Sequence, residues 1–141
     1  MLLEEGLDNV FARHNRLAEA TRRAVRAWGL EILCLNPREY SPVLTAALVP
    51  DGHDADKLRA IILDRFDMSL GTGLGKVKGK VFRIGHLGYF NDLMLAGTLA
   101  GVEMGLEVAG VPYRRGGVQA ALDYLSAGDQ TRAERPERAS A

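Results

Sequence analysis

The first 28 residues carry apolar side chains at the spacing of an amphipathic helix. These residues recur every three or four positions, which places them on one helical face: Leu3, Leu7, Val10, Leu17, Ala24 and Trp28. Acidic residues crowd the first turns and arginines the second half, an order that complements the helix dipole. The pattern therefore predicts one long helix over 2–28, ended by Gly29.

Short apolar runs bounded by proline or glycine predict the strands of a sheet. The predicted strands are 31–35, 43–49, an edge strand at 67–70, and 81–87. In the last of these, alternation places Val81, Arg83 and Gly85 on one face. Phe82, Ile84 and His86 then lie on the other face.

Three further helices complete the prediction. The first begins at a cap, Asp54 or Asp56, and runs to about Phe66; the second is capped by Asn91 and ends at Gly110. A third covers 117–126. This order predicts an α+β fold with two layers, a short and mostly antiparallel sheet with helices packed on one face. We expect one domain over residues 1–128 and a disordered polar tail over 129–141.

Composition narrows the class of protein. With 141 residues, 47% hydrophobic and 26% charged, the chain can bury a core as one globular domain. Lys plus Arg and Asp plus Glu are both 18, which argues against a nucleic-acid or anionic-membrane binder and, through low self-repulsion, tolerates association with like chains. Acids occupy the N-terminus where a signal peptide needs basic residues, and the apolar run at 93–102 is too short to span a bilayer. We expect a cytoplasmic location.

Several motifs suggest chemistry but fail on spacing. The segment GTGLGK (71–76) has three residues between its outer glycines and valine after the lysine, so it is not a phosphate loop. The segment is interpreted as a flexible loop, although a loop that folds over a ligand stays open. The histidines, at 14, 53 and 86, are not at metal spacings, and His14 is expected to be a satisfied, partly buried imidazole. Cys34, the single cysteine, allows no intrachain disulfide and is expected to be inert packing in a strand.

A row of glycines marks the predicted helix after Asn91. Gly97, Gly101 and Gly105 recur every four residues. Each costs a helix about 1 kcal/mol relative to alanine, so the row indicates close approach of another part of the protein. The domain's own sheet is the favoured partner, and another chain is the alternative.

Arg83 is the candidate binding residue, because it places a charge in the middle of an apolar strand. A guanidinium offers a planar fork that holds a carboxylate through two parallel hydrogen bonds. Gly85 and Gly88 leave open space beside it. The pattern alone equally allows an internal ion pair or a solvent-facing edge.

The neighbourhood of Arg83 resembles a known enzyme family. The segments GLGKVKGKVFRIGHLG (73–88), NDLML (91–95) and GVEM (101–104) are similar to the C-terminal region of class V aminotransferases, in particular the serine–glyoxylate and alanine–glyoxylate group. GGVQAA (116–121) and EGLDNVFARH (5–14) resemble further parts of the same region. The likeness extends to about residue 125.

The resemblance implies a substrate-binding role for Arg83 and places the cofactor-binding residues of the family outside the matched region. In the family, the matching arginine binds the substrate α-carboxylate, so Arg83 is expected to do so. The Schiff-base lysine and the phosphate-binding loops for pyridoxal phosphate belong to the large domain, and Lys76, Lys78 and Lys80 lie in the wrong segment to replace that lysine. No catalytic, cofactor-binding or metal-binding residue is therefore expected in this chain.

Three hypotheses follow for function. The first is the small domain of a pyridoxal-phosphate-dependent aminotransferase acting on small amino and oxo acids, with the large domain as missing partner, a dimer as the usual assembly, and no turnover by the chain alone. The lack of a capping residue before the first helix fits a piece of a longer chain, as well as a native start. The second is a stand-alone module that binds small carboxylates, and the third is a structural association domain that uses the glycine row.

Overall fold

The computed structural model describes residues 2–127, which form one sheet and one set of helices. In this range there are five α-helices: α1 Leu2–Glu5, α2 Leu7–Ala27, α3 Ala55–Phe66, α4 Asp92–Val108 and α5 Gly117–Ala127. There are four strands: β1 Glu31–Ile32, β2 Leu44–Leu48, β3 Gly71–Thr72 and β4 Val81–Gly85. The strand order is β1-β2-β4-β3, with every neighbouring pair antiparallel. This confirms the predicted α+β fold. The predicted tail lies outside the described residues.

One face of the sheet is buried under the helices. Ala47 on β2 pairs with Phe82 on β4, and both are fully buried, as is Ile84. Helix α2 packs against β1 and β2, and α3 packs against β3 and β4. At the alternating positions, Ala46 and Arg83 are only partly buried and Gly85 is exposed, although Val81 at the start of β4 is buried. Arg83 therefore lies on the face of the sheet that the helices do not cover.

The predicted first helix is interrupted at Gly6. This glycine has a φ of 83°, in the left-handed region that side chains disfavour, and it separates α1 from α2. Leu3 and Phe11 are 86% and 58% exposed, so the first part of the apolar stripe does not reach the core. Burial on this face begins at Val10 and continues to Trp28. Periodicity alone overestimated the buried part of the helix.

Two predicted strands have different bounds in the structure. The first ends at Ile32, because Asn36 caps a short 3₁₀ turn at Pro37–Glu39, and Leu35 is 90% exposed. The edge strand is Gly71–Thr72 instead of 67–70. Asp67 takes a φ of 51° and ends α3 with a hydrogen bond from its N–H to the Leu63 carbonyl, so it is a helix cap.

The segment predicted as a flexible loop has regular structure. It contains β3 and a 3₁₀ turn at Gly75–Val77. The Gly73 N–H donates to the Val81 carbonyl, which extends the β3–β4 pairing, and the Ala55 N–H donates to Gly79. Backbone hydrogen bonds on both sides therefore hold this segment against β4 and α3.

The glycine row faces α3 and the segment after it. The sequence analysis favoured the sheet as the packing partner of these glycines, and that expectation was wrong. A Cβ at Gly105 would lie 2.5 Å from Cδ1 of Ile62, and one at Gly101 would lie 2.8 Å from Cε of Met68. Gly97 has no neighbouring atom within 4 Å. Two of the three glycines thus serve packing inside the domain.

Glu103 on α4 joins the ends of two other helices. Its carboxylate accepts hydrogen bonds from the Trp28 indole at 2.8 Å, the Gly116 N–H at 3.1 Å and the Val118 N–H at 3.0 Å. Desolvation raises the pKa of Glu103, but these hydrogen bonds outweigh it, so the pKa lies below its ordinary value. The ionised carboxylate therefore fastens the N-terminus of α5 to the end of α2.

Two of the predicted caps are confirmed. The Asp54 carboxylate accepts from the backbone N–H groups of Asp56 and Lys57 at the start of α3. The Asn91 side chain accepts from the Met94 N–H at the start of α4. Both satisfy N–H groups that a helix leaves unpaired in its first turn.

Candidate functional site

Arg83 lies in the middle of β4, between the strands β2 and β3. It is opposite Ala46 on one side and Gly71 on the other. Both of these directly opposite residues are small, so neither places a bulky side chain against the arginine. Its place at the centre of the sheet fixes the backbone through hydrogen bonds on both sides.

The Nε atom of Arg83 is buried and has no hydrogen-bond partner. Within residues 2–127, no carboxylate forms an ion pair with Arg83. An unsatisfied buried donor costs about 1–3 kcal/mol, and a charged one costs more. The internal ion pair that the sequence left open is therefore not formed in this part of the chain.

The edge strand β3 forms the surface beside Arg83 and is tied to α3. The Thr72 hydroxyl donates to Asp56 Oδ1 at 2.9 Å, and Arg59 Nη1 lies 3.0 Å from the same oxygen. Arg59 Nε donates to the Leu70 carbonyl at 2.8 Å. The hydrogen bond from Thr72, together with Arg59, holds the pKa of Asp56 below its ordinary value, so this carboxylate is ionised at neutral pH.

The turn after β4 is held by two residues of α2. The Gly88 N–H donates to His14 Nε2 at 3.1 Å, while His14 Nδ1 donates to the Val10 carbonyl at 2.7 Å. Arg13 donates to the Gly88 carbonyl at 2.7 Å and forms a two-pronged ion pair with Glu5. His14 is thus the satisfied imidazole that the sequence predicted, with both ring nitrogens hydrogen-bonded.

His86 is buried below the same turn. It is fully buried, and burial lowers its pKa from 6.5 to about 4. Its Nδ1 lies 3.1 Å from the Pro42 carbonyl, which can only accept, so Nδ1 carries the proton. Nε2 then accepts from the Thr45 hydroxyl at 3.0 Å. His86 is therefore neutral at pH 7, and the two histidines together hold β2, β4 and the turn.

Other residues singled out from the sequence do not join this site. Cys34 follows β1 instead of lying in it, and its thiol donates to the Asn36 carbonyl. Within residues 2–127, no group of three or more His, Cys, Asp or Glu residues is placed to hold a metal ion. The same range contains no helix of the length and apolarity needed to cross a membrane.

The lysine side chains of this chain are all exposed to solvent. The chain has four, and the side chains of all four are exposed: Lys57, Lys76, Lys78 and Lys80. A lysine that holds pyridoxal phosphate as a Schiff base needs a pocket that excludes water and lowers its pKa. None of the four lysines lies in such a pocket.

Sequence reasoning missed Arg13, Gly71 and the Asp56–Thr72 pair. Arg13 and Asp56 belong to ordinary helical patterns, in which a charged residue usually faces water. Their partners are distant in sequence, Gly88 for Arg13 and Thr72 for Asp56. Gly71 was noted only as part of a phosphate-loop motif that failed. No local signal distinguishes these residues.

Comparison with known proteins identifies the relatives of the chain. It is 48% identical over 127 residues to the serine–glyoxylate aminotransferase of Hyphomicrobium methylovorum, a match that covers 89% of this chain and 31% of that protein. The L-aspartate–glyoxylate aminotransferase of Paracoccus denitrificans is 48% identical over 124 residues, which cover 87% of this chain and 31% of that protein. No protein-family model matches the chain.

Solved structures give the same result for the fold. The ureidoglycine–glyoxylate aminotransferase of Bacillus subtilis superposes with a TM-score of 0.82 at 32% identity, covering 88% of this chain and 32% of that chain. The pyridoxamine–pyruvate aminotransferase of Mesorhizobium loti also superposes with a TM-score of 0.82, at 34% identity. The chain spans about a third of the length of the aminotransferases it matches. It is therefore a homologue of the glyoxylate aminotransferases that corresponds to a small domain of these larger proteins, as its resemblance to class V predicted.

Proposed function

We propose that this chain is the C-terminal small-domain part of a pyridoxal-phosphate-dependent serine–glyoxylate or alanine–glyoxylate aminotransferase, in which Arg83 binds the substrate carboxylate. The observation that carries the proposal is the buried Nε of Arg83, which has no partner within residues 2–127. The names of the relatives supply the substrate class, since glyoxylate is a small oxo acid with one carboxylate.

The contribution of Arg83 is binding and orientation. A guanidinium can donate two parallel hydrogen bonds to one carboxylate, which fixes both the position and the plane of that group. Holding a substrate in this way removes much of the entropy cost of reaching the reactive geometry. Because Arg83 lies on a central strand, this direction is set by the sheet and not by a mobile loop.

The proposed partner is the remaining two thirds of the aminotransferase. In this proposal that part binds pyridoxal phosphate, which supplies the electron sink for transamination, and it provides the Schiff-base lysine. The exposed lysines of this chain support the division of labour. The 141-residue chain alone should therefore not transaminate. Turnover of serine and glyoxylate by the purified chain with added pyridoxal phosphate would contradict this.

A chimera tests the role of Arg83. The matching third of the Hyphomicrobium methylovorum enzyme is replaced by this chain, and serine–glyoxylate transamination is measured. Arg83→Lys keeps the charge but loses the fork, so KM should rise roughly tenfold or more with a smaller change in kcat. Arg115→Lys is the matched control, because Arg115 is 78% exposed and its KM should not change. An unchanged KM in Arg83→Lys would refute the carboxylate assignment.

The second candidate function is a binding module without catalysis. It is favoured by the same free donor, since Arg83 is already placed on the sheet of the chain by itself. Calorimetry of the 141-residue chain with glyoxylate, pyruvate and serine, read together with the activity of the chimera, distinguishes the two. Tight binding that disappears in Arg83→Ala, combined with an inactive chimera, would favour the module.

A further inference from the structure

We propose that Gly71 is a positioning residue for Arg83: the absence of a side chain at residue 71 lets the arginine stem lie across β3 and sets the direction of its guanidinium. The inference rests on the proposed function, because it gives Gly71 a role in binding through Arg83. It adds a residue on a different strand from the arginine itself.

The distance between the two residues is too short for a second side chain. Gly71 and Arg83 are directly opposite in the antiparallel pair. A Cβ at Gly71 would lie 3.0 Å from Cβ of Arg83, 3.0 Å from its Nε and 3.5 Å from its Cζ. Opposite Cβ atoms in antiparallel pairs are ordinarily about 4.5–5.5 Å apart. The arginine stem therefore occupies the space that a side chain at residue 71 would need.

The backbone gives no other reason for glycine at this position. Gly71 is absent from the glycines with positive φ, whereas Gly75 and Gly79 in the same segment have φ of 55° and 76°. Alanine could adopt the backbone of Gly71 without strain. The neighbouring side chain is what opposes alanine, because Arg83 would have to give way by a few tenths of an ångström.

The strand that carries Gly71 is poorly able to move away. Arg59 holds the Leu70 carbonyl on one side of Gly71, and Asp56 holds the Thr72 hydroxyl on the other. The Gly73 N–H is paired with β4 through the Val81 carbonyl. A side chain at residue 71 would therefore displace the Arg83 side chain more readily than it would displace β3. The guanidinium of Arg83 would then point in a different direction.

The test uses the 141-residue chain and an NMR signal from Arg83 itself. The Nε–H resonance of Arg83 is identified by its loss in Arg83→Lys, and its position is recorded without ligand and during titration with glyoxylate. In Gly71→Ala the resonance should shift before any ligand is added. The affinity for glyoxylate should fall roughly fivefold or more, because a displacement of about half an ångström spoils a two-pronged contact.

Gly97→Ala is the matched control, since it makes the same change where no atom lies within 4 Å. It should leave both the resonance and the affinity unchanged. If the Arg83 resonance in Gly71→Ala coincides with that of the parent, the positioning role is refuted, whatever the chain binds. If the resonance shifts but Arg83→Ala binds glyoxylate as well as the parent does, the proposed function fails instead.

Discussion

The packing between α3 and α4 allows the effect of one methyl group to be worked out in advance. Alanine at Gly105 would place a Cβ 2.5 Å from Cδ1 of Ile62 and closer still to its Cγ1. Carbon atoms in good contact are about 3.5–4.0 Å apart, so the overlap is at least an ångström. Ile62 is fully buried and belongs to the core, so it cannot swing out into water.

Two effects oppose each other in Gly105→Ala. Replacing glycine by alanine inside a helix is worth about 1 kcal/mol in favour of the variant. Overpacking a core contact costs about 1–3 kcal/mol. Gly97→Ala, on the same helix but in open space, receives only the first effect. The difference between the two variants therefore isolates the packing cost, and we expect Gly97→Ala to be more stable by about 1–3 kcal/mol.

Urea unfolding followed by the fluorescence of the single tryptophan, Trp28, measures both free energies of unfolding. Gly97→Ala should be at least as stable as the parent chain, and Gly105→Ala should unfold at lower urea. In an Ile62→Ala background, which removes both clashing atoms, the difference between the two alanine variants should largely disappear. Equal stability of Gly105→Ala and Gly97→Ala in the parent background would refute the close approach of α3 and α4.

Two further predictions concern the ionisable side chains of His86 and Glu103. The pKa of His86 is about 4 in the folded chain and 6.5 in the unfolded chain, so on acidification the unfolded chain takes up the proton first. The stabilisation from neutral His86 should therefore be fully present above about pH 6.5. The free energy of unfolding should fall by up to roughly 3 kcal/mol as the pH approaches 4. Urea unfolding across this range should show a weaker pH dependence in His86→Gln, and an identical dependence would count against the assignment. Glu103→Gln turns an acceptor oxygen into a donor that faces N–H groups, which should cost about 1–3 kcal/mol. The control Glu107→Gln, at an exposed carboxylate, should change the free energy of unfolding much less, and equal effects would contradict the bridging role of Glu103.

Features that depend on neighbours in sequence were predictable. The caps at Asp54 and Asn91 act on N–H groups two or three residues away, and both are found where the sequence places them. The interruption at Gly6 was not predictable, because a glycine within an apolar stripe is compatible with a continuous helix. The edge strand was misplaced because Arg59 and Asp56, more than ten residues away, hold residues 70–72.

The candidate site was half predictable for the same reason. A charge inside an apolar strand singles out Arg83, and its family resemblance adds a role. Whether a charge in such a strand is paired inside the domain depends on residues far along the chain, and only the fold shows that no carboxylate in 2–127 reaches it. The fit between Gly71 and Arg83 depends on strand register, which no local pattern specifies.

The attachment of α2 to the end of β4 has a mechanical consequence. Arg13 and His14 grip both the carbonyl and the amide of Gly88, five residues beyond Arg83 along the chain. A tilt of the first turns of α2 would displace the turn at Gly88. Through the short stretch before Gly88, it would also displace β4, the strand that carries Arg83. If Arg83 binds a carboxylate as proposed, a movement of the first turns of α2 should therefore also change the position of its guanidinium.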